Sequence, residues 1–167
     1  MKRPVMASAS GKQPDAAFAL ALKLLGIRSH SRLELERKLR GKGFDEAVTA
    51  QTIEKLSGKG LLDDREFGLE FIASRAKRKP AGKIRLVADL RKKGLSETVI
   101  GEVVGEIDSG PLCMQAAEKK CATLRGPEAA RKKKLETFLR NRGFSWPEIR
   151  EALERFFPGV TDREEPV

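Results

Sequence analysis

Leu39-Arg40-Gly41-Lys42-Gly43-Phe44 is written again, with small changes, as Leu90-Arg91-Lys92-Lys93-Gly94-Leu95 and as Leu139-Arg140-Asn141-Arg142-Gly143-Phe144. The pattern is leucine, arginine, any residue, lysine or arginine, glycine, then a large apolar residue. It recurs at a period of about 50 residues, the mark of an internal repeat. The match widens on both sides. Leu35, Leu86 and Leu135 precede the three copies at one common offset, and Ile53, Val104 and Leu153 follow them at another. These spacings put apolar residues on one stripe of a helix before each glycine and on one stripe after it. Each glycine therefore separates two amphipathic helices. Basic residues before it suit a helix C-terminus, where carbonyls and the macrodipole favour positive charge. The glycine supplies the left-handed conformation that ends the helix without a Cβ clash.

Working outward, Met1 to Pro14 reads as a flexible tail. Asp15 is expected to cap a helix through about Leu25. Ser31 caps the next, with Glu34 placed as in a capping box, and Asp45 caps a third. In the second repeat Asp63 or Asp64 caps a helix to about Lys79, which Pro80 and Gly82 break. A helix follows to Lys93, and Ser96 caps the last. The third repeat predicts helices from Leu112 to about Leu124, from Glu128 to Arg142, and from Ser145 to Phe157. No segment alternates with the period of a strand. The expected fold is all-α: three tandem three-helix repeats in an elongated, modular arrangement, at residues 15–60, 61–109 and 110–158. Residues 1–14 form a flexible tail and 159–167 an acidic one. Units this small sit near the lower limit for a self-sufficient core, so they must lean on each other or move.

The 167-residue chain carries 34 lysines and arginines against 24 acids, a formal charge of +10. That balance points to a polyanion or an acidic protein surface as partner. No run is long and apolar enough for a membrane span, and the N-terminus lacks the apolar centre of a signal peptide, which argues for the cytoplasm. Cys113 and Cys121 stand two turns apart on one predicted helix, too far for a disulfide within it, and read as free thiols. No catalytic constellation, metal site or cofactor motif is present. His30 is the only histidine and lacks ligand or triad spacing. Asp63-Asp64 reads as a helix cap, and Gly82-Lys83 lacks the rest of a phosphate loop. Trp146 is expected in the core.

The densest basic segment is Arg75, Lys77, Arg78, Lys79, Lys83, Arg85, Arg91, Lys92 and Lys93, with Asp89 the only acid inside it. Clustering of one sign across two helices and their break makes it the candidate electrostatic footprint. A secondary patch comprises Arg131, Lys132, Lys133 and Lys134 with Arg140 and Arg142. Four consecutive basic residues cannot share one helix face, since each step turns about 100°.

The order of Arg32-Leu33-Glu34-Leu35, Gly43-Phe44, Gly60-Leu61-Leu62-Asp63-Asp64 with Phe67, and Gly82-Lys83 leading to Leu90-Arg91-Lys92-Lys93-Gly94-Leu95 resembles the RecX family, regulatory proteins that modulate the recombinase RecA. The resemblance runs from about residue 16 to residue 157 and is strongest in the first two repeats. It implies a non-enzymatic modulator, without cofactor. Such a protein binds RecA filaments on single-stranded DNA, inhibits ATP hydrolysis and strand exchange, and contacts DNA with little sequence preference. A monomer is expected. Short helices hinged at glycine also fit another class, a transcription regulator built of tandem helix–turn–helix units.

Overall fold

The computed structural model describes residues 12–159, and the residues read above as the outer tails lie outside them apart from 12–14 and Gly159. Among the described residues there are nine α-helices and no strand. They are α1 (Lys12–Ile27), α2 (Arg32–Gly41), α3 (Glu46–Gly58), α4 (Asp64–Arg78), α5 (Lys83–Lys92), α6 (Glu97–Gly105), α7 (Gly110–Cys121), α8 (Glu128–Asn141) and α9 (Trp146–Phe156). Helix packing falls within the triplets α1–α3, α4–α6 and α7–α9. Each triplet has its own core. Leu35, Leu39 and Leu56 centre the first, Leu86, Leu90 and Val103 the second, and Leu135, Leu139 and Ile149 the third. The repeated leucines 35, 39, 86, 90, 135 and 139 are all essentially inaccessible.

The thrice-written hexapeptide forms one Schellman motif per module. Gly43 N–H donates to the Arg40 carbonyl at 3.0 Å and Phe44 N–H to the Leu39 carbonyl at 3.3 Å. The same pair of bonds recurs at Gly94 and Leu95, and at Gly143 and Phe144. All three glycines have positive φ, at 91°, 84° and 78°.

Adjacent modules meet through these hinges. The second hinge sits on the N-terminus of α2, where Ser31 Oγ donates to the Lys93 carbonyl at 2.6 Å and Gly94 lies against Leu33. The third hinge sits on the N-terminus of α5 in the same way. There Gly82 N–H donates to the Arg142 carbonyl at 3.0 Å and Ile84 N–H to the Gly143 carbonyl at 3.2 Å. Ser31 and Gly82 occupy equivalent repeat positions, so one interface is used twice. The series then stops at both ends. Gly43 faces open space. Helix α8 starts about one turn earlier, relative to its glycine, than α2 or α5 do, so the position equivalent to Ser31 and Gly82 is Arg131, inside the helix rather than at its cap. End units that differ from interior ones are what a finite array requires.

Several local expectations change. Helix α1 begins at Lys12, so Asp15 lies in its first turn rather than at its cap. There its charge still offsets the positive helix end. Helix α7 runs from Gly110 to Cys121 and does not reach Leu124. Glu34 does not close a capping box on Ser31. Ser31 accepts from Glu34 N–H at 3.1 Å, but the Glu34 carboxylate turns to Lys93 and Arg28. The complete capping box is Ser145–Glu148. Trp146 is 44% exposed rather than in the core, because it is the first residue of α9 and the inward stripe starts at Ile149.

Candidate functional site

Helix α4 ends in Arg75, Lys77 and Arg78, side chains that suit its negative C-terminus. The second hinge brings Lys93 towards the same place, and the linker between α1 and α2 brings Arg28. Together Arg28, Arg75, Arg78, Lys79 and Lys93 line an open cleft of about 770 Å³ between the first two modules, with Glu70 the only acid in its wall among the described residues. Phe71 forms part of the wall, stacked on Phe67 with ring centroids 6.2 Å apart. The Arg75 guanidinium and the Lys93 ammonium stand 5.9 and 6.0 Å from the Phe71 ring centre, within range of the attraction between a cation and an aromatic face.

His30 explains how Arg28 is placed. Its ring is buried and its Nδ1 donates to the Arg28 carbonyl at 2.9 Å. A carbonyl only accepts, so Nδ1 carries the proton. Burial pushes the imidazole pKa down, outweighing the backbone hydrogen bond to Arg28. His30 is thus a neutral structural pin of the linker.

The cations of the cleft are not equivalent. Arg75 pairs with Asp89, and Arg85 reaches the same carboxylate at 3.3 Å. Lys93 pairs with Glu34 at 2.5 Å and Arg28 with Glu34 at 3.0 Å. Arg78 donates only to the neutral Ser74 hydroxyl, at 2.6 Å. Among the described residues neither Arg78 nor Lys79 has a carboxylate partner, and both are exposed.

Of the nine candidates in the dense basic segment, four line the cleft. Lys77 is exposed on α4 outside it. Arg85 is half spent on Asp89. Arg91 pairs with Glu97 at 2.6 Å, Lys92 is exposed, and Lys83 belongs to the junction between the second and third modules beside Glu148. The secondary patch divides as its spacing requires. Lys133 and Lys134 are exposed, whereas Lys132 is buried on the inward side of α8. Arg131 lies over Phe157, Arg140 pairs with Glu136, and Arg142 lies over Phe138 and reaches the Pro80 carbonyl at 3.4 Å. Arg28, isolated in the sequence, was not among the candidates. Only the junction brings it to the cleft.

Two glutamates clasp the junctions. Burial pushes the Glu34 pKa up, but hydrogen bonds from Lys93 and Arg28 outweigh it and hold the carboxyl below the ordinary range. Glu148 behaves alike. Burial raises it, while donation from Ser109 and Ser145 lowers it further than burial lifts it. A depressed folded-state pKa contributes stability above the unfolded value of about 4.3, lost as pH falls through the folded value. Asp64 runs the other way, raised by burial despite the bond from Arg32 N–H. Thermal melting across the acid range is therefore expected to show a fall below about pH 4 that Glu34→Gln and Glu148→Gln each make shallower. An unchanged acid limb in both variants would contradict this assignment.

No group of acids, histidines and cysteines among the described residues is arranged to hold a metal ion. Burial pushes the Cys113 thiol up to about 12 and raises Cys121 as well, so neither is a thiolate nucleophile near neutrality. Asp63 caps α4, accepting from Arg65 N–H at 2.7 Å and Glu66 N–H at 3.2 Å. Asp64 instead accepts from Arg32 N–H at 2.8 Å, tying the second module to the first. No helix among the described residues is long and apolar enough to cross a membrane.

Residues 17–56, 63–104 and 112–153 match the family models described as the first, second and third three-helix domains of RecX. The chain is 55% identical over 150 residues to "Regulatory protein RecX" of Pelodictyon phaeoclathratiforme, covering 89% of this chain and 94% of that one. It is 46% identical over 141 residues to the protein of the same name from Chlorobium phaeobacteroides, covering 84% and 93%. The fold is similar to the crystal structure of RecX from Lactobacillus salivarius, with a TM-score of 0.75 at 20% identity over 86% of this chain and 96% of that one. A second solved regulatory protein RecX aligns with a TM-score of 0.77, also at 20% identity, over 91% and 80%. With all three modules matched in order and relatives aligned over nearly their full length, the chain belongs to the RecX family of regulatory proteins.

Proposed function

We propose that this protein binds RecA filaments on single-stranded DNA and modulates them, mainly by inhibiting ATP hydrolysis and strand exchange, in DNA repair and recombination. It acts as a cytoplasmic monomer without catalytic chemistry of its own. One observation carries the reading beyond family membership: cations from the linker of module one and from both α4 and the hinge of module two converge on a single cleft. A basic surface built by two modules suits the phosphate backbone or the acidic face of a filament. Three modules joined in one line can also touch neighbouring protomers of a polymer, so that weak contacts add through effective concentration. The dissimilar ends of the array support a chain that does not propagate by itself.

Pull-down on ATP-bound RecA filaments tests this directly. The protein is expected to co-purify with the filament and to be released as salt is raised, since several ion contacts are broken together. Absence from the filament fraction at low salt would overturn the proposal. The rival class, a sequence-specific transcription regulator, requires a preference of about 10³-fold or more for one DNA sequence over random DNA, without any recombinase.

A further inference from the structure

Two cations that line the cleft between modules one and two are held by a carboxylate just outside its wall. Glu34 projects from α2, its side chain only 15% exposed, and draws both Lys93 and Arg28 onto itself. Those two cations also line the cleft. Two further cations in the same wall, Arg78 and Lys79, are exposed and have no carboxylate partner among the described residues. Of the five lining cations, Glu34 thus already takes two and Asp89 takes Arg75, while Arg78 and Lys79 are open. The alternative account, that Arg78 and Lys79 only offset the C-terminus of α4, covers one element. It does not explain why Arg28 and Lys93, from two other elements, face the same space.

We propose that this cleft is a phosphodiester-binding site whose built-in counter-anion is Glu34: a nucleic-acid phosphate docks on Arg78 and Lys79 and competes with Glu34 for Lys93 and Arg28. The inference rests on the polyanion-binding reading above and specifies where and how that binding occurs. Three of the five lining cations, Arg28, Arg75 and Arg78, are guanidinium groups, whose planar forks match oxyanions, and phosphate is favoured over a carboxylate side chain because a nucleic-acid strand carries one charge per nucleotide and can meet several of these cations at once. An open cleft also lets a chain pass through, and the Phe71 wall offers apolar surface beside the charge. Competition has a consequence for the fold as well. The Glu34–Lys93 pair fastens the hinge of module two to module one, so an occupied cleft loosens one contact of that junction while leaving the Ser31–Lys93 and Arg32–Asp64 bonds in place.

The sign of one substitution separates this account from a purely structural role. Glu34→Gln removes the internal competitor, so a short oligothymidylate without recombinase is expected to bind about 3- to 10-fold more tightly, beyond the change seen for Glu36→Gln on the same helix. The double variant Arg78→Ala and Lys79→Ala touches exposed side chains only. It is expected to weaken binding and to reduce the slope of log affinity against log salt by about 1.4, two contacts at about 0.7 each for a single strand. Fluorescence anisotropy gives both, with circular dichroism confirming that each variant is folded. Unchanged or weaker binding by Glu34→Gln overturns the counter-anion role. An unchanged salt slope in the double variant overturns the cleft as the site. If wild-type protein ignores the oligonucleotide but binds polyglutamate, the ligand is an acidic peptide and the phosphodiester assignment fails. None of these outcomes depends on the recombinase, so filament binding is judged separately.

Discussion

Gly143→Ala is expected to destabilise the protein by about 2–4 kcal/mol, Gly94→Ala somewhat less, and Gly43→Ala by only about 1 kcal/mol. The three glycines hold the same place in the same motif and have nearly the same positive φ. A Cβ in that conformation carries a similar penalty at each. What differs is the neighbour. A Cβ on Gly43 meets nothing, one on Gly94 runs into the side chain of Leu33, and one on Gly143 runs into the backbone and Cβ of Arg85. Leu33 can swing its outer atoms aside but its Cβ moves only with α2, whereas every clashing atom of Arg85 is fixed to the first turn of α5. Denaturant unfolding of the three single variants checks the order. Equal losses at all three would mean that the hinges end helices and do nothing more. The graded loss would show that the second and third hinges are also the joints between modules.

Leu90→Ala is expected to cost about 2–5 kcal/mol, the range for a buried leucine whose surroundings collapse only partly. Leu90 is fully inaccessible and its carbonyl accepts from Leu95 N–H in the Schellman turn, at 3.2 Å. It therefore ties the core of module two to the geometry of the hinge. Module two is also the one held on both sides, by α2 through its own hinge and by the third hinge through α5. Loosening its core disturbs two junctions, while the matched changes Leu39→Ala and Leu139→Ala disturb one each. Urea unfolding should accordingly rank Leu90→Ala as the most damaging of the three. Ile84→Ala, at a position 66% exposed, serves as the control and should cost well under 1 kcal/mol. A loss below about 1 kcal/mol for Leu90→Ala would contradict the placement of the core.

Much of this was legible in the repeat. A leucine four residues before a glycine, a basic residue between them and an apolar residue after it describe a Schellman motif, and local hydrogen bonds form it. The core leucines followed from helical periodicity for the same reason. What escaped depends on residues far apart in the chain. Gly82 reads locally as a helix breaker, yet its lack of a Cβ is required by the backbone of Gly143 packed against it. Glu34 has capping-box spacing, but Lys93, 59 residues away, competes successfully for its carboxylate. Trp146 has the bulk of a core residue, and its register at the start of α9 leaves it exposed.

The candidate site divides along the same line. The run from Arg75 to Lys93 contains four of the five cations that line the cleft, because α4 and the following hinge are close in sequence. It also contains Arg91, whose partner Glu97 sits just across the hinge turn, and Lys83, which the next junction takes. Counting charges along the chain cannot separate cations that face a partner from cations already paired. Arg28 carries the clearest lesson. A single arginine in a linker has no local signal, and only the docking of module two on module one gives it a place in the cleft.

On the proposed function, these modules and their basic cleft act on the recombinase filament. The most direct measurement is the rate of ATP hydrolysis by RecA on single-stranded DNA as this protein is added. The rate should fall steeply as protein is added, and the variant lacking Arg78 and Lys79 should require more protein for the same effect. An unchanged hydrolysis rate with wild-type protein in stoichiometric excess over RecA would contradict it.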